Sequence, residues 1–142
     1  MKTWYQMAII IQEVQSRVPV TIMQLHGELD ASHYLDVIAQ ARELYAAGTR
    51  HLLLDLSDLS FMASAGLRAL HSIALIMRGE EPPDAEHSRK AAPPKRRGVE
   101  GGLVQNFKIL NPQPPVNWAL EVSGFKTFLE VHTDLEAALV SF

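Results

Sequence analysis

One hydroxyl group lies among small residues near the middle of the chain, where the hydrophobic pattern changes to that of a helix. Ser64 belongs to the segment FMASAGL, residues 61–67. A serine at a helix start can cap the helix, and a phosphate there would face unpaired N–H groups and the positive end of the helix dipole. Its neighbours Ala63, Ala65 and Gly66 leave room for the active site of another protein. By spacing alone, Ser64 is either a helix cap or a modification site.

The same segment matches the nucleophilic serine of a hydrolase poorly. Residues 62–66 read MASAG and lack the first glycine of the G-x-S-x-G turn. No histidine follows in a motif that would mark a general base, and the six histidines show no H-x-x-x-H spacing for a metal ion. No phosphate-binding loop or dinucleotide fingerprint is present. We therefore expect a protein that is not an enzyme and that needs no cofactor or metal.

Composition places the chain among ordinary single domains. Its 142 residues, 47% of them hydrophobic and 20% charged, suffice for one buried core. The absence of cysteine excludes disulfides, thiolate nucleophiles and cysteine zinc sites. A net charge of −3 gives no basic footprint, so we expect no direct DNA binding. Neither a membrane span nor a signal peptide is recognisable, and we expect a cytoplasmic location.

The elements that would position Ser64 lie on both sides of it. Ala8–Val14 and Val20–His26 are β-branched and apolar, which predicts a hairpin. Apolar residues at three- and four-residue spacing predict a helix over Ala31–Ala47. The apolar run His51–Leu56 predicts a strand buried on both faces. A polar turn would follow this strand and lead into a second helix from about Ala65 to Gly79.

A segment of different character follows the second helix. Residues from about 80 to 103 contain four of the eight prolines and few large apolar side chains, which predicts a flexible surface insertion. Its basic run Lys95-Arg96-Arg97 is either solvated linker or a contact for nucleic acid or an acidic protein. Beyond it the pattern predicts a strand, a helix, a strand and a closing helix, over Val104–Leu110, Pro115–Val122, Phe128–Val131 and Thr133–Val140.

The predicted order is therefore β-β-α-β-α-β-α-β-α. Each strand after the hairpin precedes a helix that can cross to a parallel neighbour, which predicts an α/β fold with a mixed sheet packed by about four helices. Thr133 and Glu136 have the spacing of a capping box at the start of the closing helix. We find no repeat, and we expect residues 1–142 to form a single domain.

Several segments together resemble the signatures of a known family. They are GELD at residues 27–30, LDLS at 54–57, FMASAGL at 61–67, and WALEVSGF at 118–125 followed by FLEV at 128–131. In this order they are similar to the STAS domain, which is named for sulphate transporters and anti-sigma factor antagonists. The resemblance covers nearly everything except the insertion and implies a STAS-like mixed sheet with an antiparallel N-terminal hairpin.

The resemblance also implies a function. In stand-alone members, an anti-sigma factor serine kinase phosphorylates a serine in an Asp-Ser-Ser/Thr-Gly turn and then releases the antagonist, and a phosphatase restores binding. The resemblance places that serine at Ser64 and a partner-contacting aspartate at Asp30, which could equally cap the helix predicted to begin at Ala31. Where the family often has aspartate before the serine and Ser or Thr after it, this chain has Ala63 and Ala65.

The second helix could extend the contact with a partner. Arg68 and Ser72 lie beside an apolar margin outside the core stripe. That margin is either a contact surface or is covered by the insertion or the next helix. Its members are Ala69, Ile73 and Ile76.

The family resemblance leaves a second role open. STAS-like subunits also occur in lipid-transport ABC complexes and in stress-signalling assemblies, where they are docking modules. In that role Ser64 would not be phosphorylated.

Overall fold

The structure, a computed structural model, describes residues 7–80 and 103–142. Most of the predicted insertion, including its basic run, lies outside the described residues. The described elements follow the predicted order. They are β1 (Ala8–Gln15), β2 (Pro19–Leu29), α1 (Tyr34–Ala46), β3 (Leu52–Met62), α2 (Ser64–Met77), β4 (Phe107–Leu110), α3 (Pro114–Val122), a short 3-10 helix (Phe125–Thr127), β5 (Val131–His132) and α4 (Leu135–Val140).

The strands form one mixed sheet in the order β1-β2-β3-β4-β5. β1 and β2 are antiparallel and form the predicted hairpin, whereas each later strand runs parallel to its neighbour. The helices α1, α2 and α3 make the crossovers between successive parallel strands, as such connections require. The predicted α/β class and the antiparallel start of the sheet are confirmed.

The two faces of the sheet are covered unequally. Because side chains alternate along a strand, one set of apolar residues faces α1, α2 and α3, and a smaller set faces α4. The first face of the sheet contributes Met23, Leu25, Leu52, Leu54, Phe107 and Ile109 to the main core. The second face contributes Val20, Ile22, Leu53 and Leu110, which pack with Ala138 and Leu139 of α4.

Two predicted boundaries near the candidate site are wrong. Helix α1 begins at Tyr34 rather than Ala31, because Asp30 forms a local turn in which its Oδ1 accepts the N–H of Ser32 at 2.9 Å. Strand β3 continues to Met62 rather than ending at Leu56, because its polar second half still pairs with β2 through two register shifts. The polar turn predicted before α2 is therefore strand.

The closing helix also starts differently. The predicted capping box of Thr133 and Glu136 is wrong, since the cap of α4 is Asp134. Its Oδ2 accepts the N–H of Ala137 at 2.9 Å, which satisfies one free donor of the first turn. Strand β5 is the pair Val131–His132 and not residues 128–131, because the N–H groups of Phe128 and Leu129 donate to the carbonyl of Phe125 and continue the turn of the 3-10 helix.

Candidate functional site

Ser64 lies at the carboxyl edge of the parallel strands. β3 ends at Met62, and α2 begins at Ser64 after the single residue Ala63. The ends of β2 and β3 are held together because Leu29 is paired with Met62 and its carbonyl accepts the N–H of Ala63 at 2.9 Å. Asp30, the next residue after β2, therefore lies in the loop that adjoins Ser64. This is the sheet edge at which α/β proteins commonly meet ligands and partners.

The hydroxyl of Ser64 does not cap α2. The cap position is Ala63, without a side-chain hydrogen bond, so the prediction that Ser64 caps the helix is wrong. The N–H groups of Gly66 and Leu67 donate to the carbonyl of Ala63 at 2.8 and 3.2 Å. Those of Ser64 and Ala65 have no acceptor among the described residues. Ser64 is thus exposed at a helix end whose first two N–H groups are free of described acceptors.

Gly66 lets the first turn of α2 approach the sheet closely. A Cβ added at Gly66 would lie 2.6 Å from Met62 Cγ and 3.1 Å from Leu29 Cγ, and both of these side chains are buried. Ala65 and Ser72 are buried as well. Of the residues predicted to contact a partner, these three therefore lie beneath the exposed surface and support it.

The apolar margin expected on α2 is not exposed. Ala69 and Ile73 are completely buried and Ile76 is 4% exposed. α2 packs against both α1 and the sheet, so it needs a wider apolar face than one core stripe. The interpretation of this margin as a partner contact is wrong, and its cover among the described residues is the main core.

An open cleft of about 300 Å³ adjoins Ser64. The first two turns of α2 form one side of it and aromatic residues before β5 form the other. Burial lowers the pKa of His71 in this cleft, so its imidazole is neutral at pH 7. Among the described residues, the cleft therefore combines an apolar lining with one permanent charge, that of Arg68. The lining residues are Ser64, Leu67, Arg68, His71, Phe125 and Phe128.

Arg68 and two aromatic features complete the surface. Arg68 is exposed, and its guanidinium carbon lies 5.8 Å from the centroid of the Tyr34 ring. Phe61, three residues before Ser64, is 47% exposed but is not among the described residues that line the cleft. The rings of Phe125 and Phe128 are 5.1 Å apart. Aromatic and arginine side chains of this kind are typical anchors of protein interfaces.

The LDLS segment has a structural role on the other face of the sheet. Ser57 Oγ donates to Asp55 Oδ1 at 2.8 Å, and Gln24 Nε2 donates to Asp55 Oδ2 at 3.2 Å. Gln113 Nε2 donates to the carbonyl of Ser57 at 2.8 Å. These bonds join β2, β3 and the start of α3, and they place the Asp55 carboxylate away from the cleft.

Within the described ranges, no group of three or more His, Asp or Glu residues could hold a metal ion. No helix in these ranges is long and apolar enough to cross a membrane.

Residues 13–82 match a family model described as "Mlab, STAS domain". The matched segment includes β3 and α2, which flank the Ser64 loop, and β2, which ends beside it. No curated protein matches the sequence.

Solved structures share the fold at low sequence identity. An anti-sigma factor antagonist from Mycobacterium paratuberculosis has a TM-score of 0.68 at 15% identity, over 99% of this chain and 97% of that chain. SpoIIAA in its unphosphorylated form has a TM-score of 0.56 at 21% identity, over 92% of both chains. The Bacillus cell fate determinant SpoIIAA in its phosphorylated form has a TM-score of 0.54 at 21% identity, over 92% of this chain and 96% of that chain. The likeness shows a SpoIIAA-like fold.

Proposed function

We propose that this chain, which belongs to the STAS domain family, is an anti-sigma factor antagonist that works by binding and not by catalysis. It docks on an anti-sigma factor serine kinase through the Ser64 loop and the adjoining cleft. The observation that carries this proposal is the exposed hydroxyl of Ser64 at the start of α2, beside the Asp30 loop. The fold that the chain shares with anti-sigma factor antagonists supports the same role.

The docking surface proposed here has a charged side and an apolar side. Asp30, at the end of β2, contributes a carboxylate, and Arg68 contributes the guanidinium on the first turns of α2. The cleft beside them takes an apolar side chain of the partner between Leu67 and the Phe125–Phe128 pair. Burial of aromatic side chains supplies affinity, and the charges supply orientation.

Phosphorylation of Ser64 switches this surface off. The kinase transfers the terminal phosphoryl group of a nucleoside triphosphate to Ser64 Oγ, whose proton is released, and the diphosphate departs. The product carries about −1.5 to −2 additional charges at neutral pH. The start of α2 accommodates that charge, because the N–H groups of Ser64 and Ala65 are free of described acceptors. Phosphorylation therefore weakens docking and not the fold, because the partner must cover a charged group. Removal of the phosphoryl group by a phosphatase restores docking.

A pull-down from native lysate tests the proposal, with mass spectrometry of the captured proteins and of the Ser64 peptide. We expect a kinase-like anti-sigma factor among the captured proteins and phosphate on a fraction of Ser64. Ser64→Asp should lose this partner. The matched control Ala137→Asp adds the same charge on α4, which packs on the opposite face of the sheet, and should keep it. Equal capture by both variants contradicts the switch.

A docking subunit that is never phosphorylated is the second candidate function. It is favoured by Ala63 at the cap position, since the family often has aspartate there. In this role the same surface would bind a component of a lipid-transport ABC complex or a stress-signalling assembly. Capture of an ATPase with its permease, together with Ser64 that is unmodified under all growth conditions, would favour this candidate.

A further inference from the structure

Arg68 is a cation near the positive end of a helix. It is the fifth residue of α2, and the first turn contains no acidic residue. Within residues 7–80 and 103–142, no carboxylate pairs with its guanidinium, and its described contact is the face of the Tyr34 ring. A cation close to a helix N-terminus is slightly unfavourable, since the dipole there has the same sign. Arg68 therefore lies where an anion would be favourable, and no described anion is paired with it.

Ser64 and Arg68 can reach one another. They are four residues apart on α2 and line the same cleft. Long side chains on a helix lean towards its N-terminus, so Arg68 leans towards the residue one turn before it, which is Ser64. A guanidinium offers parallel N–H donors that match two phosphoryl oxygens.

We infer that Arg68 is the residue that binds the phosphoryl group of phosphorylated Ser64. On modification, its guanidinium leaves the Tyr34 ring and donates to the phosphoryl oxygens across the mouth of the cleft. The paired groups then occupy the place where the partner docks. This inference rests on the proposed function for the phosphorylation of Ser64, and it identifies the residue of this chain that reads the modification.

Neighbouring groups do not replace Arg68 in this role. His71 lines the same cleft, but burial lowers the pKa of its imidazole, which disfavours the charged form. Arg78, at the other end of α2, already pairs with Glu80 at 3.3 Å. The Asp30 carboxylate accepts the N–H of Ser32 and has the same sign as the phosphoryl group. Arg68 is thus the one permanent cation among the described residues that line the cleft.

A phosphorus NMR titration tests the inference without any partner or kinase. Phosphoserine is installed at position 64 during synthesis in the otherwise native chain, in Arg68→Gln and in the matched control Arg78→Gln. A free phosphoserine has a second pKa of about 6. Pairing with Arg68 should lower the pKa of the phosphoryl group by roughly 0.5 to 1 relative to Arg68→Gln, less than a buried pair would give. Arg78→Gln should titrate like the native chain.

The helix dipole, His71 and Asp30 are the same in the native chain, in Arg68→Gln and in Arg78→Gln. A difference in the phosphoryl pKa between the native chain and Arg68→Gln is therefore due to Arg68. Arg68→Lys keeps the charge but not the paired donors and should give an intermediate pKa. Identical pKa values in the native chain and in Arg68→Gln would overturn the inference. That result is separable from failure of the proposed function, which would appear as unchanged partner binding after phosphorylation while the titration difference persists.

Discussion

Lys108 and Arg68 are cations in two regions of the molecule, and their surroundings are opposite. Lys108 lies in β4, faces α4 and is 1% exposed. Its Nζ donates to the carbonyl and the hydroxyl of Ser141 at 2.9 and 3.0 Å and lies 3.3 Å from Glu130 Oε1. Arg68 is exposed at the cleft and pairs with no described carboxylate.

The difference separates a charge that serves the fold from one that is available for binding. A buried cation must keep its partners, because removal from water costs several kcal/mol unless hydrogen bonds and an opposite charge compensate. An exposed cation has no such constraint and can exchange one partner for another at little cost. We therefore expect substitutions around Lys108 or beneath the cleft to change stability, and substitutions on the cleft surface to change binding.

Gly66→Ala tests the packing beneath the cleft and should have the largest effect. The new Cβ would lie 2.6 Å from Met62 Cγ, so either the buried Met62 and Leu29 side chains or the first turn of α2 must shift. We expect the free energy of unfolding to fall by about 1–3 kcal/mol, the usual cost of overpacking. Urea denaturation measures it.

Ser64→Ala is the control for Gly66→Ala in the same helical turn. It removes an exposed hydroxyl that makes no hydrogen bond with a described residue. Its effect should stay within about 0.5 kcal/mol. Equal losses in the two variants would show that the turn itself, and not the missing side chain at Gly66, is sensitive.

Glu130→Gln tests the pairing of Lys108 and should have the next largest effect. The substitution leaves the buried ammonium without its carboxylate, although both bonds to Ser141 remain. We expect a loss of about 1–2 kcal/mol at pH 7, less than for a fully buried pair because Glu130 is partly exposed. Glu43→Gln, at an exposed position on α1, should change stability little.

Glu130→Gln should also change how the stability of the fold depends on pH. Partial burial acts to raise the pKa of Glu130, but the hydrogen bond with His132 and the charge of Lys108 outweigh it, so the pKa lies below its ordinary value. Such a group stabilises the fold above its unfolded pKa and loses that contribution as the pH falls through the folded pKa. Native stability should therefore fall more steeply in the acid range than that of Glu130→Gln. Parallel curves from thermal melts would contradict the pairing.

Substitution of Arg68 in α2 and of Arg78 at its C-cap should give the smallest effects, of opposite sign. Arg68→Gln removes a cation near the positive end of the helix, and we expect a gain of up to about 0.5 kcal/mol. Arg78→Gln removes the pair with Glu80 at the negative end, and we expect a loss of similar size. Guanidinium chloride would screen the effect, so urea denaturation at low ionic strength is the measurement. If both substitutions changed the free energy of unfolding in the same direction, the surroundings of Arg68 and Arg78 would be alike, contrary to this prediction.

Local patterns were sufficient for the order of elements and for the position of the Ser64 loop. The spacing of hydrophobic residues and the apolar content change sharply between the buried strand and α2. In the structure, the GELD and FMASAGL segments lie at the ends of the neighbouring strands β2 and β3. The nearness of Asp30 to the Ser64 loop followed from the family resemblance and not from local pattern, and the pairing of Leu29 with Met62 is in keeping with it. The helix starts were less certain, because helix ends vary by one or two residues and Ser64, which cap preference favours over Ala63, lies one position inside α2.

What the sequence could not show depends on contacts between distant segments. Phe125 and Phe128 line the cleft beside Ser64 although they follow it by about sixty residues. Lys108 lies within the run FKIL, where nothing local distinguishes a buried lysine from an exposed one, and its burial depends on α4 and Ser141. The cover over Ile73 likewise depends on how α1 packs beside α2.

The most direct test of the proposed switch compares two forms of the same chain. The anti-sigma factor captured from lysate is titrated by calorimetry with the chain carrying serine at position 64 and with the chain carrying phosphoserine there. We expect binding of the unmodified form, and roughly tenfold or weaker affinity of the phosphorylated form, a difference of about 1.4 kcal/mol or more. Equal affinities for the two forms would contradict the account.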